Sequence, residues 1–290
     1  MELYYLVFPF CIIGALSNML VIIAFIRNSE VAKVYEYQFI LVFSVFDSFT
    51  TLSSLLPSLL YPENSIICTM QGVIIQISSL SGILWIGLIA VAILKELVLL
   101  KPRFSSGFFK PLLTIVSISA LSSVLPIIFN AYKISGNWCW FENPGEHHKT
   151  RDYLLRFLLF YIFVWSVIIF NFIVTIAVWY KLKKETIFDF VGNRLVNRLK
   201  WYPWVLAICY IPLTVVRISE GMGSMPAGFQ VFSGIMLRLI SLFNAIIFFT
   251  FDKTNPRSPG SSKLSMFTNS LKEIETNKVT KDQLIFNNPK

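Results

Sequence analysis

Apolar and polar residues follow one another along this chain in long blocks, and the apolar blocks have the length of membrane helices. Leu3–Ile26 and Phe157–Tyr180 contain no charged residue over 24 positions each. A helix needs about 20 such residues to cross a hydrocarbon core of roughly 30 Å. The pattern predicts seven transmembrane spans, numbered in chain order. The five further spans are Tyr37–Tyr61, Ile66–Leu94, Pro111–Tyr132, approximately Leu199–Ser219 and approximately Phe229–Phe251.

These blocks predict an all-α membrane protein. Backbone polar groups inside a bilayer must be satisfied within their own segment, which favours helices, and the blocks lack the alternation of a barrel strand. The composition agrees, because 55% of the residues are hydrophobic and only 14% are charged. Residues 1–251 are expected to form the membrane domain. From Asp252 the chain turns polar, so 252–290 is expected to be a disordered cytoplasmic tail.

Charge predicts the orientation. Twelve Lys and Arg residues follow spans one, three and five, whereas the loop after span four holds four and the other two loops hold none. Because Lys and Arg accumulate in cytoplasmic loops, the N-terminus is expected outside and the C-terminus in the cytoplasm. The net charge of +9 is then explained by loops that lie beside anionic membrane lipids, and it requires no nucleic-acid partner.

Two of the four cysteines are placed to form a disulfide. Cys11 and Cys209 fall inside apolar spans one and six, which leaves Cys68 at the start of span three and Cys139 in the loop after span four. That loop lies outside the cell or in a lumen in the predicted topology, where disulfides persist. A Cys68–Cys139 bridge would fix the loop to the bundle; the alternative is two unrelated thiols.

Two tryptophans flank the loop cysteine, in the stretch Gly136-Asn-Trp-Cys-Trp-Phe-Glu142. Indole rings favour the membrane interface. If the bridge forms, Trp138 and Trp140 are expected to lie at that interface as a lid over the helices.

Three arginines are predicted to converge beneath this lid. Arg238 lies nine residues beyond Phe229, roughly 14 Å into span seven, and is too deep to reach the surface. Arg156 begins span five and Arg217 ends span six. Guanidinium groups suit phosphate or carboxylate, so the three predict a site for a small anion. Alternatively, Arg156 and Arg217 lie at the interface and Arg238 pairs with an acid such as Glu220.

Other polar positions lie deep in the apolar spans. Asp47 falls near the middle of span two, with Asn18 and Asn244 as its expected neighbours from spans one and seven. The three form either a hydrated or cation-binding switch or a structural hydrogen-bond node. Pro212, in the middle of span six, is expected to act as a hinge or as a static bend.

Four stretches resemble the slime-mould cyclic AMP receptor and cyclic-AMP-receptor-like family of G-protein-coupled receptors, often called class E. The likeness lies in the combination of a tryptophan-flanked loop cysteine with a distinctive span six. The chain lacks the Asp-Arg-Tyr and Asn-Pro-x-x-Tyr strings of rhodopsin-like receptors, so activation rules from that class do not transfer. The four stretches are CTMQGVIIQISSLSGILWIGLIA (68–90), GNWCWFE (136–142), WYPWVLAICYIPLTVVRI (201–218) and LFNAIIFF (242–249).

This resemblance implies a multi-pass receptor of the plasma membrane. It would bind an extracellular ligand, cyclic AMP or another small anion, and activate a heterotrimeric G-protein. The loop after span five combines basic and apolar residues in a pattern that suits a docking surface for the G-protein or a helix on anionic lipid. Its basic positions are Lys181, Lys183, Lys184, Arg194 and Arg198.

Other functions have weaker support. A transporter or channel remains the alternative, although seven spans form no even repeat and no internal duplication is evident. An enzyme, a metal site or a cofactor is not expected. The only histidines, His147 and His148, are adjacent in one loop, and span seven has no lysine for a retinal Schiff base.

Overall fold

The computed structural model describes residues 2–27, 35–56, 65–95, 109–135, 138–141, 149–184, 201–222 and 226–252. Within these ranges the chain is helical except for one short hairpin and a few turn residues. The elements are α1 (Glu2–Arg27), α2 (Tyr35–Leu55), α3 (Ile66–Ile93), α4 (Phe109–Ile128), β1 (Tyr132–Ser135), β2 (Trp138–Phe141), α5 (Lys149–Arg156), a π-helical turn (Phe157–Tyr161), α6 (Ile162–Lys184), α7 (Trp201–Met222) and α8 (Ala227–Asp252).

The helices reproduce the predicted all-α membrane fold. Six described segments are long and apolar enough to cross a bilayer, and α7 contributes a shorter apolar stretch, Trp204–Ser219. Span five consists of α5, the π-helical turn and α6 in succession. Exposed leucine and isoleucine side chains cover the outward faces, as expected for helices that contact lipid.

Helix α3 lies at the centre of the bundle. It packs against α2, α4, α6 and both hairpin strands. Its Trp85 is fully buried, and the indole Nε1 donates a 2.9 Å hydrogen bond to the Phe39 carbonyl of α2. This bond satisfies the one polar atom of the ring within the apolar interior.

Span four ends earlier than the hydrophobic pattern predicts. Helix α4 stops at Ile128, whereas the apolar block continues to Tyr132. Asn130 adopts a left-handed conformation with φ of 51°, and the Ala131 amide donates to the Pro126 carbonyl at 2.8 Å. Asparagine tolerates this conformation better than most residues. The turn directs Tyr132 into β1, so the last apolar residues belong to the hairpin.

Span five begins earlier than predicted, at Lys149 and not at Phe157. Its first two turns carry the charged residues that the hydrophobic pattern assigned to the preceding loop. The π-helical turn Phe157–Tyr161 then joins this polar start to the apolar helix α6. A π-helical turn is an uncommon feature that is frequent at functional sites.

The chain divides into two units, Met1–Phe248 and Phe249–Lys290. The second unit is described only from Phe249 to Asp252. The remainder of the predicted tail lies outside the described residues.

We expect Gly72→Ala to destabilise the protein. A Cβ atom at Gly72 would lie 2.5 Å from Cδ1 of the buried Tyr132 ring, so α3 or the hairpin would have to shift. Overpacking of this kind costs about 1–3 kcal/mol. Thermal unfolding can be followed with a thiol-reactive dye, because the free thiols of Cys11 and Cys209 are buried in the folded state.

Gly228→Ala is the matched control. A Cβ atom there meets nothing within 4 Å. Its melting temperature should equal or slightly exceed that of the parent protein, since alanine favours a helix more than glycine does. Equal melting temperatures for the two variants would contradict the close packing of Tyr132 on Gly72.

Candidate functional site

The segment after α4 folds into a hairpin that is covalently joined to α3. Strands β1 and β2 pair antiparallel, with Ile134 opposite Cys139. Cys68 and Cys139 form the disulfide that the sequence predicts, with a Cα–Cα distance of 5.2 Å. Ser65 caps α3 by accepting a 3.1 Å hydrogen bond from the Cys68 amide. The hairpin is therefore attached at the first turn of the central helix.

Gln71 holds the centre of β2 in place. Its side-chain Oε1 accepts a 2.8 Å hydrogen bond from the backbone amide of Cys139. Its Nε2 donates to the carbonyls of Ser53 and Leu56 at 2.6 and 2.8 Å. One buried amide thus joins α3 to the hairpin and to the end of α2.

Gln76 performs the same task one and a half turns further along α3. Its Oε1 accepts a 3.1 Å hydrogen bond from the Trp140 indole Nε1. Its Nε2 donates to Ser122 Oγ of α4 at 3.4 Å and to the Leu159 carbonyl of the π-helical turn at 3.2 Å. Neither glutamine was predicted from the sequence. Their signal was two amides, five residues apart, in an otherwise apolar span.

The two tryptophans pack inside the bundle. Trp138 and Trp140 are only 9% and 5% exposed and belong to the protein interior. The bundle supplies partners for both rings. Gln76 satisfies the Trp140 N–H group, and arginine side chains face both rings.

The three predicted arginines meet these rings. The guanidinium of Arg238 lies 4.7 Å from the Trp138 ring centroid. Those of Arg156 and Arg217 lie 5.9 and 5.8 Å from the Trp140 ring centroid. All three side chains are buried, with 0%, 6% and 3% exposure for Arg156, Arg217 and Arg238. Cation–π contacts of this kind contribute more where water is excluded.

Arg156 plays a different part from the other two. Its Nη2 donates a 2.9 Å hydrogen bond to the Phe141 carbonyl at the end of β2. It is not among the residues that line the cavity described next. Its position therefore supports the hairpin from behind Trp140.

A cavity of about 50 Å³ lies beneath the hairpin, between α2, α3, α7 and α8. This volume accommodates a few water molecules. Trp138 and Trp140 form one wall, and Arg217 and Arg238 contribute two positive charges. The remaining lining residues are Phe43, Asp47, Thr50, Ile75, Ser78, Ser79, Gly82, Ile83, Phe160, Leu206, Tyr210, Leu213, Leu237 and Ile240.

Arg238 is an unusual member of this lining. Among the residues that the structure describes, no acceptor lies within hydrogen-bonding distance of its guanidinium, and its Nε is buried. The side chain of Glu220, an acid that the sequence analysis considered as its partner, lies outside the described part. The described partners of the Arg238 guanidinium are the face of Trp138 and, through electrostatic attraction, Asp47.

Asp47 is held by hydrogen bonds from two other helices. Asn18 Nδ2 donates to Asp47 Oδ2 at 2.8 Å, and Ser241 Oγ donates to the same oxygen. Asn244 is not part of this group, although the sequence analysis expected it to be. It donates to Ser44 Oγ at 3.1 Å and accepts from the Tyr202 hydroxyl at 3.1 Å. Ser241 and Asn244 lie one turn apart on α8, so they meet different residues of α2, Asp47 and Ser44.

The remaining predicted residues are not among the cavity-lining residues, or their side chains lie outside the described part. Pro212 lies within α7, between the cavity-lining Tyr210 and Leu213. Lys181 lies in the last turns of α6, which ends at Lys184. The side chains of Lys183 and Lys184, and all of Arg194 and Arg198, lie outside the described residues, as do His147 and His148. No cluster of potential metal ligands occurs in the described ranges.

Comparison with known proteins identifies a family and a relative of this chain. The sequence matches the family described as "Slime mold cyclic AMP receptor" over residues 3–290. It is 25% identical over 213 residues to "Cyclic AMP receptor-like protein A" of Dictyostelium discoideum, a match that covers 71% of this chain and 52% of the relative. The chain thus spans about half the length of that relative.

The fold also matches a solved structure. Squid rhodopsin superimposes with a TM-score of 0.69 and 16% identity, over 85% of this chain and 80% of the rhodopsin chain. At this identity the likeness concerns the fold alone. It agrees with the bundle of membrane-spanning helices derived from the hydrophobic pattern.

We expect the Trp140–Gln76 hydrogen bond to appear as an energetic coupling. Trp140→Phe keeps an aromatic ring and removes the N–H donor, whereas Gln76→Met removes the acceptor. The double variant should lose about 1 kcal/mol less unfolding free energy than the sum of the two single losses, because either change alone already breaks the same bond. Thermal unfolding of the single and double variants measures this coupling.

Trp138→Phe serves as the control ring for this cycle, because Gln76 bonds to the indole of Trp140. Its combination with Gln76→Met should be additive. Additivity for Trp140→Phe as well would mean that the described bond contributes nothing to the attachment of the hairpin.

Proposed function

Since the chain belongs to the slime mold cyclic AMP receptor family, we propose that it binds a small anion in the cavity beneath the β1–β2 hairpin and signals to a G-protein. The family and the rhodopsin-like fold support a receptor that resembles the G-protein-coupled receptors. The ligand, the orientation in the plasma membrane and the cytoplasmic partner are part of this proposal.

The observation that carries the anion site is the buried guanidinium of Arg238. A charge inside a membrane protein costs at least a few kcal/mol unless water or a partner compensates it. Trp138 contacts one face of the guanidinium, but a ring face accepts none of its in-plane N–H donors. Because Arg238 lines the cavity, an anion bound there would supply the acceptors that the described residues do not.

Arg217 supports the same site from a second helix. It lines the cavity from α7 and lies against Trp140, whereas Arg238 lines it from α8. Two guanidinium groups on different helices suit a phosphate or carboxylate, which has acceptors in several directions. Binding would then draw α7 and α8 together as the first step of the proposed conformational signal.

Cyclic AMP is the first ligand to consider, because the family description and the name of the Dictyostelium relative both mention it. The cavity, at about 50 Å³, holds a few water molecules and not a nucleotide. Entry of a nucleotide would therefore require Trp138, Trp140 or α7 to move. Pro212 lies beside the cavity-lining residues of α7 and would serve as the point of bending.

The proposed G-protein surface lies at the far end of α6. Lys181 lies in the last turns of that helix, which ends at Lys184. By the positive-inside rule this end faces the cytoplasm and the hairpin faces the outside. A cationic surface there would attract an acidic partner.

We expect Arg238→Gln to weaken anion binding by about tenfold or more, which is the scale of one lost charged hydrogen bond. Arg238→Lys should recover little of the loss, because an ammonium lacks the planar pair of donors. The measurement is binding of radiolabelled cyclic AMP, with inorganic phosphate as competitor, to purified receptor in lipid nanodiscs.

Asp47 supplies the test of the competing interpretation. If Arg238 serves as a structural partner of Asp47, Arg238→Gln should destabilise the protein without affecting binding, and Asp47→Asn should restore stability. That outcome would remove the anion site. Unchanged binding by Arg238→Gln would do so as well.

We expect charge reversal of Lys181, Lys183 and Lys184 together to abolish G-protein activation and to leave ligand affinity within about twofold. These residues lie far along α6 from the cavity-lining residues, and a cationic surface steers an acidic partner. Nucleotide exchange on a purified G-protein measures activation. Loss of surface expression with intact coupling of the remaining receptor would assign the lysines to membrane topology.

A further inference from the structure

A chain of hydrogen bonds joins the start of α7 to two other helices. The Tyr202 hydroxyl of α7 donates to Asn244 Oδ1 of α8 at 3.1 Å. Asn244 Nδ2 donates in turn to Ser44 Oγ of α2, also at 3.1 Å. All three side chains are buried. One amide therefore uses its acceptor end for α7 and its donor end for α2.

This chain of hydrogen bonds lies well away from the hairpin. Tyr202 is the second residue of α7, which begins at Trp201. Ser44 lies about 18 Å along α2 from the Leu56 carbonyl, which accepts a hydrogen bond from Gln71 beside the hairpin. In the predicted topology the hairpin faces the outside, so the chain lies in the cytoplasmic half of the bundle.

The two partners of α7 in this chain belong to a closely packed part of the bundle. Apolar residues of α1, α2 and α8 form one buried cluster, in which the rings of Phe25 and Phe248 stack at 5.8 Å between centroids. Helix α7 is held differently. In the described ranges its backbone packs against α6, and its approach to α8 is sparser. If the chain breaks, we therefore expect α7 to move and α2 and α8 to stay together.

A bend at Pro212 would act on the Tyr202 hydrogen bond through the length of α7. Tyr202 lies about 15 Å before Pro212 along the helix axis. A change of about 10° at the proline would displace Tyr202 by about 3 Å, which is more than a hydrogen bond tolerates. Residues of α7 line the cavity on both sides of Pro212, from Leu206 to Arg217. A ligand that bends α7 there would break the bond.

We propose that Tyr202, Asn244 and Ser44 form a latch that holds the start of α7 against α8 and α2 in the resting receptor. The inference rests on the proposed function, because it takes the bend of α7 as the step that ligand binding drives. When the latch releases, the start of α7 moves away from α8 and opens the cytoplasmic surface between them. Asn244 then exchanges the Tyr202 hydroxyl for water.

Tyr202→Phe removes the donor of the latch and keeps the ring. In the latched arrangement this leaves Asn244 Oδ1 buried without the Tyr202 hydrogen bond, whereas in the released arrangement water supplies one. The substitution therefore disfavours the latched arrangement alone. Hydrogen bonds between membrane helices have modest energies, so the released population should increase about threefold or more.

The released population can be measured as a distance between spin labels in the purified receptor in nanodiscs. Trp204→Cys on α7 and Ile246→Cys on α8 place the labels at two exposed positions. The thiols of Cys11 and Cys209 are buried, and the other two cysteines form the disulfide, so labelling is selective. In double electron–electron resonance, we expect Tyr202→Phe to increase the longer-distance component about threefold or more.

Binding of radiolabelled cyclic AMP tests whether the latch is coupled to the cavity. A ligand that favours the released arrangement must bind more tightly once that arrangement is more populated. Tyr202→Phe should therefore increase the affinity for cyclic AMP by about the same factor as the released population. A structural hydrogen bond would lower the melting temperature and leave the label distance and the affinity unchanged.

Two further variants serve as controls. Tyr180→Phe removes a hydroxyl from an exposed tyrosine of α6 and should leave the distances unchanged. Asn244→Leu removes the acceptor of Tyr202 and should release α7 as Tyr202→Phe does. The double variant should release α7 no further than Asn244→Leu alone, because the bond is already broken and the two apolar side chains leave no unpaired group.

The outcomes separate the latch from the anion site. An unchanged label distance in both Tyr202→Phe and Asn244→Leu would overturn the latch, whereas the anion site would still stand or fall with Arg238→Gln. A longer distance with unchanged affinity for cyclic AMP would overturn the latch as well, because it would not be coupled to the cavity. A longer distance in a receptor that binds neither cyclic AMP nor phosphate would retain the latch and remove the anion site.

Discussion

The burial of the Arg238 guanidinium is the constraint on which the rest of the site depends. A charge at this depth must be compensated by the protein, by water or by a ligand. The described part of the chain offers the face of Trp138, at 4.7 Å from the ring centroid to the guanidinium carbon, and an electrostatic attraction to Asp47. Trp138 reaches this position only because the hairpin lies within the bundle.

The position of the hairpin in turn depends on polar contacts in an apolar interior. The Cys68–Cys139 disulfide ties β2 to the start of α3. Gln71 and Gln76 then bond the hairpin from the side of α3. Tyr132 completes the contact from β1, because its ring lies against Gly72. Burial raises the pKa of its phenol, which favours the protonated form. Unpaired polar groups would be costly at these buried positions, so the amide pairs favour one position of the hairpin over others.

The sequence predicts the helices well and the loop after span four poorly, for a physical reason. Blocks such as Leu3–Ile26 must span a bilayer, so hydrophobic length alone locates α1 within a residue or two at each end. The same rule extends span four to Tyr132, because it cannot distinguish an apolar residue that faces lipid from one that packs on Gly72. Hydrophobic length also does not predict which groups the two tryptophans contact. Their hydrogen-bond and arginine partners come from spans far away in sequence.

The predicted polar residues separate into those that converge and those that do not. Arg217 and Arg238 line one cavity, as their depth in the spans suggested, whereas Arg156 supports the hairpin. Asp47 and Asn18 meet, but Asn244 joins Ser44 and Tyr202. Spacing along a helix predicts depth, and it leaves open which neighbours a side chain meets. The match to squid rhodopsin adds a fold and not a site, because functional residues vary on a shared fold.

The most direct measurement of the central claim is the nitrogen-15 NMR signal of the Arg238 side chain. Receptor labelled at arginine is prepared in nanodiscs, and the signal is assigned by its loss in Arg238→Lys. On titration with inorganic phosphate, the anion site requires a saturable shift of the Arg238 Nε signal. Arg27, the last residue of α1, should give an unshifted signal. An Arg238 signal that does not respond to phosphate, or that responds no differently from Arg27, would contradict the account.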